Sequence, residues 1–337
     1  MKKIGTHDGS FHADDVLAVF LLKNTEEFRE SVVIRSRDQE ILQNCDCVLD
    51  VGGEYNHEKR RYDHHQTDFK MTYPGFSVPL ASCGLIFFHY GPEIVTNVLK
   101  KSGRSAENHV EYLCREIYSA IIKEIDAIDN GYSQVPNNGT INYRINTGIS
   151  SRIGALNPLW RDPNPDYDDH FRNAVRYVGE EFTTLLNHLF DSDVPAIDLC
   201  QKAYSKRYDY HPSGQIIVFD AFVPFDKHLK RIEHDNPESP LILYSISPRT
   251  DGTYSIKALG TGSGFELRKA LPFPGLRAIE LSEKSGIEGG VFVHKTGFTG
   301  AFATYEGAFR FAVLALERVI EGVEPTEKKA ENTIAST

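Results

Sequence analysis

With 337 residues, 40% of them hydrophobic and 25% charged, the chain has the make-up of a globular protein of about two domains. Its net charge of −10 argues against nonspecific coating of nucleic acid, which depends on Lys and Arg neutralising phosphates. It leaves room for a phosphate ester in a cleft, because divalent cations reverse the local field where carboxylates cluster.

No apolar run approaches the roughly 20 residues that span a bilayer, and Met1-Lys2-Lys3 leads into Ile4-Gly5-Thr6-His7 without a signal-peptide pattern. Five cysteines with no C-x-x-C spacing argue against a disulfide framework or a cysteine-rich zinc module. The expectation is an intracellular protein of cytoplasm or nucleus with reduced thiols and no membrane partner.

Lys2-Lys3-Ile4-Gly5 predicts a short strand, followed by the polar loop Thr6-His7-Asp8-Gly9-Ser10-Phe11-His12 and an apolar helix over 13–22. Strand, loop and helix in that order make the βα unit of a parallel α/β sheet, whose sites lie at the carboxyl ends of the strands. Ser31-Val32-Val33-Ile34-Arg35-Ser36 and Cys47-Val48-Leu49-Asp50-Val51 predict two more strands. Asp50, followed by Gly52-Gly53, then points into the same crevice as His7, His12 and Asp14. Arg61-Tyr62-Asp63-His64-His65-Gln66-Thr67 follows closely enough to fold back over it.

Helical spacing begins at Ser82 and recurs over 110–128, ending in Asp126-Ala127-Ile128-Asp129-Asn130-Gly131 with Gly131 as the stop. Acidic residues at a helix C-terminus oppose its dipole, so Asp126 and Asp129 call for a cation nearby. The stretch 131–165, rich in Asn, Gly and Pro, includes the turn signal Pro136-Asn137-Asn138-Gly139 and reads as the crossing out of the first domain. Helices are expected over 166–190 and 195–210, strands over 215–219, 241–246 and 254–259, and a last helix over 304–320.

The fold class is therefore α/β: an N-terminal parallel-sheet domain with helices on both faces (1–135), a helical crossing region (136–210), a C-terminal α/β domain (211–320) and a disordered polar tail (321–337).

Strand ends and one helix end of the first domain thus carry His7, His12, Asp14, Asp50, Asp63, His64, His65, Asp126 and Asp129. A carboxylate beside two imidazoles is costly to hold unless a cation sits among them. Imidazole mixed with carboxylate and no thiolate suits Mn²⁺, with Zn²⁺, Fe²⁺ or Co²⁺ as options and Mg²⁺ as a substitute.

His7…His12-x-Asp14, the Asp50 strand, Asp63-His64-His65 and the acidic helix end resemble the four ordered motifs of the DHH phosphoesterase superfamily. More closely, Gly5-Thr6-His7-Asp8-Gly9-Ser10-Phe11-His12, Asp50-Val51-Gly52-Gly53-Glu54-Tyr55, Tyr62-Asp63-His64-His65-Gln66, Ser151-Arg152-Ile153…Leu156-Asn157-Pro158 and Val293-His294-Lys295-Thr296-Gly297-Phe298 resemble the melanocyte-proliferating-gene (MYG) exonuclease family. The resemblance covers Lys3 to about Ile320 and implies a metal-dependent 3′→5′ RNA exonuclease. One departure is that the superfamily usually has Asp four residues after the first His, where this chain has His12 five residues after His7.

Carried over residue by residue, the resemblance implies two divalent cations: one on His7, His12 and Asp50, the other on Asp14, Asp50, His64 and Asp129, with Asp126 as the alternative to Asp129. Asp50, His65 and Asp63 are the implied catalytic set, with Asp63 orienting a ligand imidazole and His65 beside the phosphate. The second domain is expected to supply substrate contacts from Arg268, Lys269, Arg277, Gly289, Gly290 and His294, with Arg152 in the crossing segment as another. Phe265, Phe273 and Phe298 read as core, with base stacking as the other option.

The expected partner is RNA or a short oligonucleotide cleaved between the domains, and a homo-oligomer is open. Two rivals remain at this stage, a hydrolase of a small phosphate compound (pyrophosphate, a dinucleotide or a nanoRNA) and a metal-stabilised binding protein without turnover.

Overall fold

The computed structural model describes residues 1–106, 108–135, 145–262 and 264–318, which form a mixed α/β architecture divided into two compact units, Met1–Val194 and a second from Pro195 onward. The expected turn at 136–139, the end of the last expected helix and the tail from 321 lie outside the described residues.

The first unit begins with β1 (Lys3–Thr6), α1 (Ala13–Leu22), β2 (Val32–Arg35), α2 (Gln39–Gln43), β3 (Cys47–Leu49), β4 (Tyr55–Asn56) and β5 (Arg61–Tyr62). The strand order is β2-β1-β3-β5-β4, parallel except for β4 against β5. Alternation along β3 sends Cys47 and Leu49 to one face and Val48 to the other. The first face carries the main core, where Val16, Leu17, Leu21 and Leu22 of α1 meet Leu85, Ile86 and Phe87 of α3 (Ser82–Lys101). The opposite face is covered more thinly by Leu42 of α2 with Cys45, Ile34 and Val51.

The expected helix over 110–128 is two helices, α4 (Val110–Ile117) and α5 (Lys123–Asp129), joined by a wider π-type turn at Tyr118–Ile122. α5 stops at Asn130, and Gly131 takes the left-handed conformation (φ 62°) expected of it. After α6 (Ile149–Gly154), α7 (Tyr167–His188) lays Phe171, Ala174, Val178 and Phe182 against the same core.

The second unit contains α8 (Val194–Ser205), α9 (Arg207–Tyr210), β6 (Ile216–Val218), α10 (Asp226–Asp235), β7 (Tyr244–Pro248), β8 (Tyr254–Ala258), α11 (Ala278–Ser285), β9 (Gly290–Val293), β10 (Thr299–Phe302) and α12 (Tyr305–Glu317). Its sheet runs β6-β7-β8-β10-β9, parallel between β6 and β7 and antiparallel elsewhere. Tyr244, Ile246, Ile256 and Phe302 pack against Phe311 and Ala312 of α12, while Ile217 and Phe219 pack with α8 and α10.

Two aromatic expectations need correction. Phe265 is wholly exposed and Phe298 is exposed against the His294 ring, so neither is core; Phe273 does pack on the second unit's core. All five cysteines are buried and free. Among the described residues no helix is long and apolar enough to cross a membrane.

Candidate metal centre

The centre lies at the carboxyl ends of the parallel strands of the first unit. β1 ends at Thr6, and the loop after it carries His7 and His12 before α1 begins. β3 ends at Leu49, and Asp50 turns into the left-handed region (φ 53°), a conformation that costs a non-glycine residue of order 1–3 kcal/mol and persists where surroundings dictate it. That turn leaves the two Asp50 oxygens facing different imidazoles: Oδ2 is 3.4 Å from His7 Nε2, and Oδ1 is 3.5 Å from His64 Nε2.

Three groups of potential ligand atoms share Asp50, one of them with His64 and His65. His7, His12 and Asp50 form the second, and Asp14, Asp50, His64 and Asp129 the third, each with ligand atoms within 4.8 Å of one another. His64 Nε2 lies 3.0 Å from Asp129 Oδ2. Asp126, one turn earlier, groups with Asp14 and Cys83 instead, and it accepts the Ala81 N–H at 2.9 Å and the Tyr118 hydroxyl at 2.9 Å. Gly84 permits this approach, because a Cβ there would collide with both Asp126 oxygens. Asp14 also meets the start of α3, accepting the N–H of Ser82 at 3.0 Å and of Cys83 at 2.7 Å. Two carboxylates thus satisfy the opening amides of a helix whose own N-cap, Ala81, has no side chain to do so.

The hydrogen bonds fix both histidine tautomers. His7 Nδ1 is 3.0 Å from the Asp8 carbonyl, which only accepts, so Nδ1 carries the hydrogen. His64 Nδ1 faces Asn130 Oδ1 at 3.1 Å, and the Asn130 amide nitrogen donates to the carbonyls of Pro79 and Asp126, so again Nδ1 donates. In a neutral ring each Nε2 therefore aims a lone pair at carboxylates. His64 Nε2, Asp50 Oδ1 and Asp15 Oδ2 are buried without a hydrogen-bond partner among the described residues. Lone pairs converging on carboxylates, with the remote ring nitrogen donating, match the donor set of a divalent cation site. These residues fit such ions.

Without a cation, protons take their place. Burial lowers the His64 pKa, but Asp129 and Asp50 override it and push the ring up to about 11. Burial raises Asp50, yet His64 and His7 bring it down to about 2. Asp14 is pushed well above the usual carboxylate range by burial and by the Asp50 and Asp129 charges.

The Asp63-His64-His65 stretch divides its labour differently from the expectation. Asp63 does not orient His64, a task that falls to Asn130. Instead its Oδ1 meets His65 Nδ1 at 2.6 Å and the His65 N–H at 3.0 Å, while Oδ2 accepts the Gly53 N–H at 2.6 Å. Gly53 is left-handed (φ 70°), which turns its amide toward Asp63. The His65 side chain is 61% exposed.

Sequence reading missed Asp15 and Asn130. Asp15 is fully buried, its Oδ2 is 3.3 Å from His7 Nε2, and its Oδ1 accepts the His12 N–H at 2.8 Å. The signal for Asp15 was a second carboxylate in the first turn of α1, hidden behind Asp14.

Of the residues expected to contact substrate, all but Arg152 belong to the second unit. Arg268 sends Nη1 and Nη2 to Glu233 at 2.6 and 2.7 Å and also donates to the carbonyls of Ile242 and Gly260. Lys269 Nζ donates to the Leu316 carbonyl at 2.7 Å. Arg277 is exposed beside the Phe292 ring, and His294 Nδ1 pairs with the Thr296 hydroxyl at 2.9 Å. Gly289 bonds through its carbonyl to the Ala303 N–H at 2.7 Å, and a Cβ on Gly290 would strike Leu281. Arg152, in the first unit, pairs with Glu181 and Tyr177.

A family profile described as uncharacterised protein family UPF0160, the MYG1 exonuclease family, matches residues 3–316. The MYG1 protein of Caenorhabditis elegans is 38% identical over 97% of this chain and 98% of its own length. The MYG1 exonuclease of Homo sapiens is 37% identical over 92% of this chain and 84% of its own, and the MYG1 protein of Saccharomyces cerevisiae 34% over 94% and 96%. With one profile running nearly end to end and animal and fungal relatives 34–38% identical over more than nine-tenths of this chain, the chain belongs to the MYG1 family.

Proposed function

We propose that the chain is a metal-dependent phosphodiesterase that removes nucleotides from the 3′ end of RNA inside the cell, working with two divalent cations of which Mn²⁺ fits best. The observation that carries the reading is Asp50, whose two oxygens face the imidazoles of two separate ligand groups. A carboxylate in that position would serve as a ligand in both groups. The exonuclease names of the mammalian relatives support the reaction class, and the ligand order agrees with the arrangement of DHH phosphoesterases.

In this reading His7, His12 and Asp50 would hold one ion, and Asp14, Asp50, His64 and Asp129 the other. When bound, two such ions would supply phosphate polarisation, a more acidic water and stabilisation of the charge of an in-line displacement. The chain's own groups do the rest. Asn130 and the Asp8 carbonyl keep His64 and His7 in the tautomer that presents Nε2. Asp63 holds His65 through Nδ1, leaving Nε2 toward solvent, where it carries a proton to the leaving 3′ oxygen as the P–O3′ bond breaks.

The test is metal analysis of the purified protein, followed by a 5′-labelled oligoribonucleotide ladder with Mn²⁺ and with Mg²⁺, beside a pyrophosphate assay. Stepwise shortening from the 3′ end that disappears in Asp50→Asn is expected. Phosphate release from pyrophosphate without shortening overturns the exonuclease reading in favour of a small-phosphate hydrolase. Absence of both bound metal and metal-dependent turnover overturns the enzyme reading.

A further inference from the structure

We infer that Trp160 is a stacking platform for a nucleobase of the nucleic acid cleaved at the candidate metal centre; the inference rests on the nuclease reading above. Trp160 is the only tryptophan in the chain and is 93% exposed, with Leu159 beside it at 64%. An indole left in water forgoes the apolar burial that usually recruits it. Here the exposure is built into the fold.

Asn157, three residues earlier, accepts the Phe11 N–H at 3.0 Å and donates from Nδ2 to the Phe11 carbonyl at 2.9 Å. Phe11 immediately precedes His12, so the segment is fastened to the loop that carries two of the proposed ligands. The Leu159 carbonyl accepts the Asp162 N–H at 2.9 Å, closing a tight turn with Trp160 and Arg161 at its central positions. On the far side His170 Nδ1 meets the Leu156 carbonyl at 2.6 Å. Arg35, whose side chain is 4% exposed, donates to the Gly9 carbonyl at 2.7 Å and the Tyr167 carbonyl at 3.2 Å. Pro158, Pro163 and Pro165 stiffen the span between.

The arm is thus held at both ends to the 7–12 loop, while its tip presents an indole and the exposed Arg161. An aromatic face with a guanidinium beside it is the combination by which single strands are held without sequence preference. A platform fixed to the ligand loop sets where the strand lies relative to the reacting phosphate.

Because Trp160 is the sole indole, its emission reports directly on the contact. The Asp50→Asn protein is titrated with a fluorescein-labelled single-stranded oligoribonucleotide, following label anisotropy and, with unlabelled strand, tryptophan emission. Saturable quenching that tracks the anisotropy is expected. In the otherwise unaltered enzyme Trp160→Ala should raise KM for the oligonucleotide about tenfold with kcat within about twofold, and Trp160→Phe should restore most of it. The penalty should vanish on a strand made abasic at the stacked position.

Anisotropy change without quenching, or a KM for Trp160→Ala equal to that of the unaltered enzyme, overturns the inference while leaving the nuclease reading standing. No binding and no cleavage of any oligonucleotide overturns both. Concentration-dependent self-association abolished by Trp160→Ala, with oligonucleotide KM unmoved, reassigns the arm to contact between copies of the chain.

Discussion

In the first unit, Asp50 Oδ1, His64 Nε2 and Asp15 Oδ2 are shut away from water without hydrogen-bond partners among the described residues. In the second unit, Arg268 is nearly as enclosed, yet its donors reach both oxygens of Glu233 and the carbonyls of Ile242 and Gly260. Asp50, His64 and Arg268 were all conspicuous in the sequence as candidate site residues, whereas Asp15 was not. The contrast teaches that burial alone does not mark function. A buried polar group with its partners in place is architecture, while converging groups that lack them are arranged around something else.

The comparison can be broken from either side. The largest effect expected is on Asp50→Asn, which keeps the shape but removes the shared charge: turnover should fall on the order of a thousandfold with the circular dichroism and melting curve of a folded protein. A residual rate within tenfold of the original would dissolve the bridging role. Next comes Glu233→Ala, which strands a buried guanidinium and should destabilise the second unit by about 3–5 kcal/mol in denaturant unfolding. Metal content at the first unit should not change, and a loss of metal there would show that the two sets are not separate.

Asn130→Ala removes the acceptor that fixes the His64 tautomer and should weaken metal binding about 10–100-fold, read by competition with a chelating dye. Unchanged affinity would return the orienting role to Asp63.

Acidification is expected to act more gradually. His64 is raised to about 11 in the metal-free protein, so its charged form stabilises that state below the unfolded value of 6.5, and the contribution is lost as pH rises through about 11. Ligation needs the neutral ring, so metal uptake near pH 7 must expel protons, with about tenfold in apparent affinity per pH unit for each one displaced. Calorimetry in buffers of different ionisation enthalpy measures that release directly. A rate that stays flat from pH 8 to pH 5 would contradict it.

The smallest effect is expected from Arg277→Ala, an exposed cation on the second unit. Stability should stay within about 0.5 kcal/mol, so any rise in KM for oligonucleotide identifies a substrate contact free of folding artefacts.

Much of the first unit was legible in the chain because its signals are local. The β1–loop–α1 unit, the strand beginning at Cys47 and the stop at Gly131 follow from apolar periodicity and turn chemistry within a dozen residues, although that strand ends at Leu49 and not at Val51 as expected. Partnerships across long separations were not legible. Nothing near Asp14 or Asp126 announces that both meet the first amides of α3, and nothing near His64 points to Asn130, 66 residues on. Arg268 is ambiguous in sequence for a related reason: a cation after a glycine-rich turn looks the same with or without a glutamate partner 35 positions earlier. The short β4 and β5 strands, two residues each, carry too little pattern to be read, although β5 delivers Asp63-His64-His65 to the site.

The bonds from Asp14 to the first turn of α3 also decide how this protein should be studied. A carboxylate that anchors the start of a 20-residue helix is a poor choice for an inert control, since replacing it disturbs a scaffold element along with any bound ion. A cell in which the Asp14→Ala form fails to rescue a deletion would not distinguish a missing activity from a missing protein. Asp50 offers the cleaner genetic instrument, because among the described residues its carboxylate faces imidazoles rather than the peptide backbone.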